Sequence, residues 1–579
     1  MKSDAFKKAE EFLTREKEFR LGELLTEAFH PKTRTLSQAA AVDLPAAIRM
    51  LQSVDDEIPP VMDKVLKQNS FGQLVDAFGE AMSSGKRIYF TGCGATGRLS
   101  ILLEAAWRRC VAGFPPATQM ENRVFSVMAG GDFALIKSVE GYEDFPDFGR
   151  YQLRQMGVGP GDVVVAITEG GETPFVIGTA WEGLDAGAKV FFVYNNPTEL
   201  LCRHVERSRE VIEEPRIIKL DLTTGPMAIT GSTRMQATTA ELFIVASALE
   251  IAMVRFLRRK MPKSDAEKLG LRQREPDEYH RQLCELLKQL SSNEAVDMLA
   301  AATVFEENIY SRQGLVTYFA DEFLLDVLTD TTERSPTFML PAFRKKDDNL
   351  SPRSWAFVKD PFRSTKDAWY ELLAREPRGL EWGRDNYEKM NAPENLLARP
   401  PKLDNAEIYK FMIGNESDPS RSDAADSALI VVGVDNKNQL INTALKRFGP
   451  QYKKTAAIIV GPVDAVGAAD KTFCFPCTLA DSPLRLWHHL AVKLILNTLS
   501  TATMVRMDRV IGNAMVWLSP SNKKLIDRGS RLIVQQTSCN YERACIVLHE
   551  TIEEVTSKQK QGKEVPSPVA LAIERIQSG

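Results

Sequence analysis

A chain of 579 residues is too long for a single hydrophobic core, and two to four domains are expected. Its composition, 44% hydrophobic and 26% charged, is that of a soluble globular protein. A formal net charge of −4 gives no general basis for nucleic-acid binding, so any anion site must be local.

Met1 to Arg20 is charged and amphipathic and lacks the apolar stretch of a signal peptide. Residues 1 to about 35 read as polar helix. Leu51 to Phe78 carries apolar residues at helical spacing, interrupted at Pro59-Pro60. A regular α/β alternation follows. Arg87–Phe90 reads as a strand, Leu99–Val111 as a helix, and Val124–Ala129, Asp162–Ile167, Lys189–Tyr194 and Ile217–Leu222 as further strands. A helix starts at Pro174, and a long one, Ser232 to Arg258, closes the unit. Its apolar part, Leu242 to Phe256, is broken by Glu250 and too short to span a bilayer, so it is expected in the core. Apolar strands separated by helices predict a parallel sheet covered on both faces, with ligands beyond the carboxyl ends of its strands.

Three turns of this unit have the chemistry of an anion cradle. The first, Thr91-Gly92-Cys93-Gly94-Ala95-Thr96-Gly97-Arg98, joins strand to helix. Glycines let the backbone expose its N–H groups, and the helix N-terminus adds partial positive charge. It is neither a Walker loop nor a dinucleotide fingerprint, because the Lys-Ser/Thr pair and the glycine spacing are missing. A tight turn without a ligand uses similar residues. The second, Thr168-Glu169-Gly170-Gly171-Glu172-Thr173-Pro174, puts Pro174 in a first helical turn. The third is Thr230-Gly231-Ser232-Thr233-Arg234. Three such turns converging on one ligand are a more specific signal than any one alone.

Lys260 to Arg281 is a charged stretch expected to link two units. A second alternation then begins, with strands at Leu315–Phe319, Trp355–Val358, Ala428–Val434, Ala456–Val460 and Thr472–Phe475. Asn436–Phe448 is a helix, and Leu484–Met507 is a second long one. The similar order of elements reads as a degenerate duplication. Tyr318-Phe319-Ala320-Asp321-Glu322 takes the place of the first glycine turn but carries two carboxylates, which repel a phosphate. The second unit is therefore expected to be structural or to cap the first. Pro393 to Pro401 reads as a long loop, Lys558–Glu564 as a solvated one, and the tail from Asp527 as helix. Cys474-Phe475-Pro476-Cys477 has no second cysteine pair or nearby histidine and reads as strand and turn packing, as do His488 and His489 on a buried helix. No motif requires a metal or a cofactor, and a reduced, cytoplasmic setting is expected, with no membrane and no nucleic-acid partner.

Several runs recur in one known family. They are Gly92-Cys93-Gly94-Ala95-Thr96-Gly97-Arg98-Leu99, Ala129-Gly130-Gly131-Asp132, Val139-Glu140-Gly141-Tyr142-Glu143-Asp144, Thr173-Pro174-Phe175-Val176-Ile177-Gly178, Asn196-Pro197 and Thr230-Gly231-Ser232-Thr233-Arg234-Met235. Leu496-Asn497-Thr498-Leu499-Ser500-Thr501, Met504-Val505-Arg506, Gly512-Asn513 and Asn522-Lys523-Lys524-Leu525 follow in the second half. On these the chain resembles the sugar isomerase (SIS) domain superfamily, and within it the N-acetylmuramic acid 6-phosphate etherases and the glucokinase regulatory proteins. The resemblance covers most of residues 40–260 and 485–550 and little of 320–425.

It implies an α/β chain of two SIS-type units, each a parallel sheet between helices. The expected divisions are an N-terminal helical segment (1–40), a first unit (41–285), a second unit with a degenerate site (286–526) and a C-terminal helical cap (527–579). It also implies a phosphosugar ligand in the first unit, cradled by Gly94, Ala95 and Thr96, with Thr168, Glu169, Gly170 and Glu172 beside it. Ser232 and Thr233 would add hydroxyls, and Lys524, otherwise read as a surface lysine, would reach in from the neighbouring unit. The chain would then be an internal pseudo-dimer, monomeric or homodimeric, and a sugar kinase is a partner the resemblance suggests.

The etherases need a base and an acid. Glu140 matches one of the two carboxylates, although its own context also suits a surface or capping glutamate. The other falls on Ala106, and Glu104 is turned about 200° away on the helix, where it can pair with Arg108. Gly170 stands where the etherases carry serine. The expected function is therefore a phosphosugar-binding sensor or regulator. The alternative is a lyase or isomerase on an amino-sugar phosphate such as N-acetylmuramic acid 6-phosphate, with Glu169 or Glu172 as the replacement acid.

Overall fold

The computed structural model describes residues 3–114, 120–139, 141–435, 438–462, 467, 469–560 and 565–578. It contains two five-stranded, wholly parallel sheets. The first is built from β1 (Ile88–Gly92), β2 (Val124–Met128), β3 (Val163–Thr168), β4 (Lys189–Tyr194) and β5 (Ile217–Asp221). Its order is β2-β1-β3-β4-β5. The second is built from β6 (Val316–Ala320), β7 (Ala356–Lys359), β8 (Ala428–Val434), β9 (Lys454–Val460) and β10 (Lys471–Phe475), in the order β7-β6-β8-β9-β10. Each sheet thus places its strands second, first, third, fourth, fifth. This is the doubly wound order whose ligand crevice lies between the first and third strands. Central strands such as β3 and β8 are buried along their whole length, which explains their unbroken apolar runs.

The two long helices, Gln236–Lys260 and Leu486–Arg506, are buried on nearly every face and pack together between the sheets. Lys493 fastens them: its ammonium donates to the Arg234 and Met235 carbonyls at 3.0 and 3.1 Å and to Thr239 Oγ1 at 2.7 Å. No helix among the described residues is long and apolar enough to cross a membrane.

Several expectations are corrected. Residues 1–35 hold one helix, Asp4–Arg15, and then three short 3-10 turns. This segment is pinned down instead of coiling further: Leu21 N donates to Asp527 at 3.1 Å and Thr26 N to Asn196 at 3.1 Å. The interruption expected at Pro59-Pro60 is present: one helix ends at Asp55 and the next, Ile58–Leu66, carries both prolines in its first turn. The first long helix starts at Gln236, four residues late, because Gly231 is left-handed (φ +73°) and Thr230 bridges to Ala514. Lys260–Arg281 contains the helix Lys263–Lys268 and the start of Pro276–Leu290. Pro393–Pro401 contains the helix Glu394–Ala398. The tail helix begins at Lys523, where Asn522 caps it by accepting from Leu525 N at 2.9 Å. The helix Tyr541–Lys560 carries the start of the charged tail run, and residues 561–564 lie outside the described residues.

Cys474 and Cys477 are unbonded thiols on β10 and just beyond it. His488 and His489 do more than pack: their ring nitrogens lie 3.1 Å from Asp435 and 2.9 Å from Asp326. In the second sheet's crevice, Asp321 and Glu322 are each paired with an arginine, Arg363 and Arg485 respectively, so the two carboxylates do not stand as bare charge.

Candidate functional site

The first sheet's crevice opens between the ends of β1 and β3, and the first two turns are its walls. Gly92 is required because a Cβ there would lie 2.5 Å from the Thr96 carbonyl carbon of the following helix, Gly94–Ala112. Gly94 is left-handed (φ +51°), and a Cβ there would meet nothing within 4 Å, so the space above it is open. Gly94 and Ala95 are half-buried, with backbone N–H groups in the helix's first turn. Thr96 is turned inward: its hydroxyl accepts from Cys93 N at 3.1 Å and donates to Cys93 O at 2.9 Å. Its hydroxyl is therefore committed to Cys93.

In the second turn Thr168 is buried, its hydroxyl 3.0 Å from that of Thr173. Asn195 N donates to Glu169 O, and Asn196 Nδ2 donates to Gly170 O, at 3.0 and 2.9 Å, so β4's end fixes the loop. Glu172 is buried and holds two cations, Lys524 at 2.7 Å and Arg207 at 2.9 Å. Burial raises its pKa, but these two partners outweigh that and hold it below the ordinary carboxylate value. Lys524 comes from the helix Lys523–Thr537 of the tail. Burial lowers its pKa, yet Glu172 reverses the sign and keeps the ammonium charged.

The third turn joins the second through Thr238, whose hydroxyl donates to Thr233 O at 3.0 Å and to Glu169 Oε1 at 3.3 Å. Thr233 is half-buried, whereas Ser232 is buried, 5% exposed. Direct contacts thus join the second turn to the third and to Lys524. The remaining candidate, Glu140, lies outside the described residues. Ala106 is buried, twelve residues beyond Gly94 on one helix, hence about 18 Å along its axis. A side chain at that position does not reach the cradle of its own unit. Glu104 pairs with Arg108 at 2.9 Å, as its spacing implies.

Two carboxyls of the turns and motif runs, Glu169 and Glu143, are raised above the ordinary carboxylate value. Burial pushes the Glu169 carboxyl up to about 7, against the pull of Lys524. Burial raises Glu143 as well, again opposed by Lys524. Arg98, expected only as part of the glycine run, lies 3.8 Å from Glu333 on the helix Leu324–Phe338, and both are buried. Glu333 in turn acts electrostatically on Glu169, so the second half of the chain adds a carboxylate beside the crevice. Glu143 and Arg98 belong to the motif runs and were open to detection. Arg207 and Glu333 carry no local signal, because only the tertiary fold brings them near. Among the described residues, no three His, Cys, Asp or Glu side chains are grouped to hold a metal ion.

Residues 72–182 match the family model described as glucokinase regulatory protein N-terminal SIS domain. The chain is similar to N-acetylmuramic acid 6-phosphate etherase 1 of Bacillus licheniformis, 30% identical over 236 residues that span 41% of this chain and 70% of that protein. The corresponding etherase of Actinobacillus pleuropneumoniae serotype 5b is 29% identical over 234 residues, 40% of this chain and 70% of that one. Tagatose-6-phosphate ketose/aldose isomerase from Escherichia coli aligns with 81% of this chain and 95% of its own at 10% identity, with a TM-score of 0.44. With two parallel sheets of one strand order and these relatives in sequence, the chain belongs to the sugar isomerase (SIS) domain superfamily.

Proposed function

We propose that the crevice between β1 and β3 binds a sugar phosphate and that the chain works as a phosphosugar sensor or regulator. A phosphate monoester carries about two negative charges near neutral pH. The free N–H groups of Gly94 and Ala95, the helix N-terminus behind them and the Lys524 ammonium supply the opposite charge. Glu169, Thr233 and Glu143 are the polar groups placed for sugar hydroxyls.

The observation that carries this reading is the Lys524–Glu172 pair at 2.7 Å. The cradle's cation comes from the tail, more than 350 positions from the turn it serves. A ligand that draws on both senses how the tail sits on the first sheet, and a regulator needs such differential affinity between two arrangements. A sugar kinase is the partner class for which the family resemblance speaks.

A second reading, a lyase or isomerase, has one observation in its favour. Burial pushes the Glu169 carboxyl up to about 7, the range in which a general acid or base is most effective. One experiment separates the two. The protein is screened by thermal shift against fructose 6-phosphate, fructose 1-phosphate, glucosamine 6-phosphate and N-acetylmuramic acid 6-phosphate, with product analysis of each hit. Ligand at a hundred times its Kd adds about 2.7 kcal/mol. Stabilisation with the sugar recovered unchanged supports the sensor. Released lactate or an isomerised sugar makes the protein an enzyme. No shift with any of the four sinks the sugar-phosphate site.

A further inference from the structure

In the run Ala129-Gly130-Gly131-Asp132, Ala129 N donates to Gly92 O of the first turn at 3.2 Å, and the rest of the run faces elsewhere. What it touches is a strap from the other half of the chain, residues 375–391, which crosses onto the first sheet. Asp132 N donates to Arg378 O at 3.2 Å, and Arg378 N donates back to the Asp132 carboxylate at 2.6 Å. Gly131 is left-handed (φ +67°), and a Cβ there would lie 2.8 Å from Arg378 O. The glycine is needed because the strap's backbone comes this close.

Charge fixes the strap's first end. Arg375 bonds Asp132 through both terminal nitrogens and Glu104 through Nε at 3.1 Å. Arg378 bonds Glu104 at 2.9 Å. Glu104, Asp132 and Arg375 are 0, 3 and 7% exposed. This is a satisfied buried network, and breaking one member would strand the others.

Aromatic rings fix the second end. Trp382 stacks on Tyr142 with ring centroids 6.2 Å apart and planes at 10°, and its indole N–H donates to Gln155 at 2.8 Å. Tyr387 meets Tyr142 hydroxyl to hydroxyl. Tyr142 and Tyr387 are both fully buried. Tyr142 opens the single 3-10 turn Tyr142–Asp144, whose next residue is Glu143. One side of that turn is therefore held by the strap, and its next residue, Glu143, feels the charges of Lys524 and Arg98.

We infer that Trp382 and Tyr387 are positioning residues for the ligand site: by clamping Tyr142 they set where Glu143 stands, and so tune affinity for the sugar without touching it. This rests on the sugar-phosphate reading above. Coupling of this kind is reciprocal, so a bound ligand must also hold the strap more tightly.

The test uses the full-length protein, with Trp382→Ala as the main variant and Tyr387→Phe as the milder one should the first fold poorly. Two quantities are read: hydrogen exchange of residues 141–148, and the Kd for whichever of the four sugar phosphates binds wild type most tightly. Phe448→Leu, in the second sheet's core, controls for general destabilisation. The expected result is faster exchange at 141–148, an affinity loss of about tenfold in Trp382→Ala, and unchanged affinity in Phe448→Leu. Ligand should also slow exchange along 375–391 in wild type. Unchanged exchange at 141–148 overturns the inference, as does faster exchange with unchanged affinity, or an equal affinity loss in the Phe448 control. If wild type binds none of the four, the sugar-phosphate reading fails and the affinity role falls with it; the exchange data alone then report whether the clamp exists.

Discussion

The Lys524 ammonium lies 2.7 Å from the Glu172 carboxylate, and the Arg207 guanidinium lies 2.9 Å from the other oxygen of the same group. One carboxylate therefore anchors a tail helix and a first-unit helix at the mouth of a crevice. Because Glu172 keeps Arg207 when Lys524 is removed, Lys524→Met should fold. A charged hydrogen bond to the ligand contributes about 1.5–3 kcal/mol, so its affinity for a sugar phosphate should fall about ten- to a hundredfold. Isothermal titration checks this. An unchanged Kd would remove Lys524 from the site.

Glu169 gives the site a pH dependence whose sign follows from burial. Its carboxyl is raised to about 7 in the free protein, and a bound phosphate raises it further. Binding therefore takes up a proton. Affinity should be full for this group below pH 7 and decline as pH rises through and above it. Below about pH 6 the phosphate itself protonates and binding weakens again. Glu169→Gln should flatten the alkaline limb while leaving the acid limb. A wild-type Kd constant from pH 6.5 to 8.5 would contradict the assignment.

Arg375 neutralises two buried carboxylates at once. Arg375→Met leaves Asp132 without its charged partner and Glu104 with only Arg108 and Arg378. Stability should drop by about 3–5 kcal/mol, measured by urea unfolding. Arg378→Gln should cost less, because the Arg378 side chain is 28% exposed and Arg375 remains. The opposite ranking would mean that the strap is held chiefly by Arg378.

Gly131→Ala tests the strap's close approach. The left-handed backbone and the 2.8 Å contact with Arg378 O both oppose a methyl group. A loss of about 1–3 kcal/mol is expected. Gly94→Ala is the comparison: its backbone is also left-handed, but a Cβ there meets open space, so the loss should be smaller. Equal losses would show that backbone strain alone decides.

The central strands were legible because they carry short apolar runs that a doubly covered parallel sheet requires, and β4 and β8 fall on the expected residues. The glycine turns were legible because Gly92 and Gly94 answer local backbone demands. The motif run did not reveal that the Thr96 hydroxyl turns back onto Cys93 to cap its own helix. A helix start was missed where a distant bridge delays the helix, as at Gln236.

By itself the sequence determined the two repeated α/β units, the three turns and the family to which they belong, because these depend on periodicity and on residues close in the chain. Tertiary structure alone decided which charges pair: Lys524 with Glu172, Glu333 with Arg98 and Arg375 with Glu104. Lys524, Glu333 and Arg375 meet residues of the first unit from 235 to 352 positions away. A pairing at that range leaves no trace in local spacing; it exists only once burial has removed water and forced each carboxylate to find its cation.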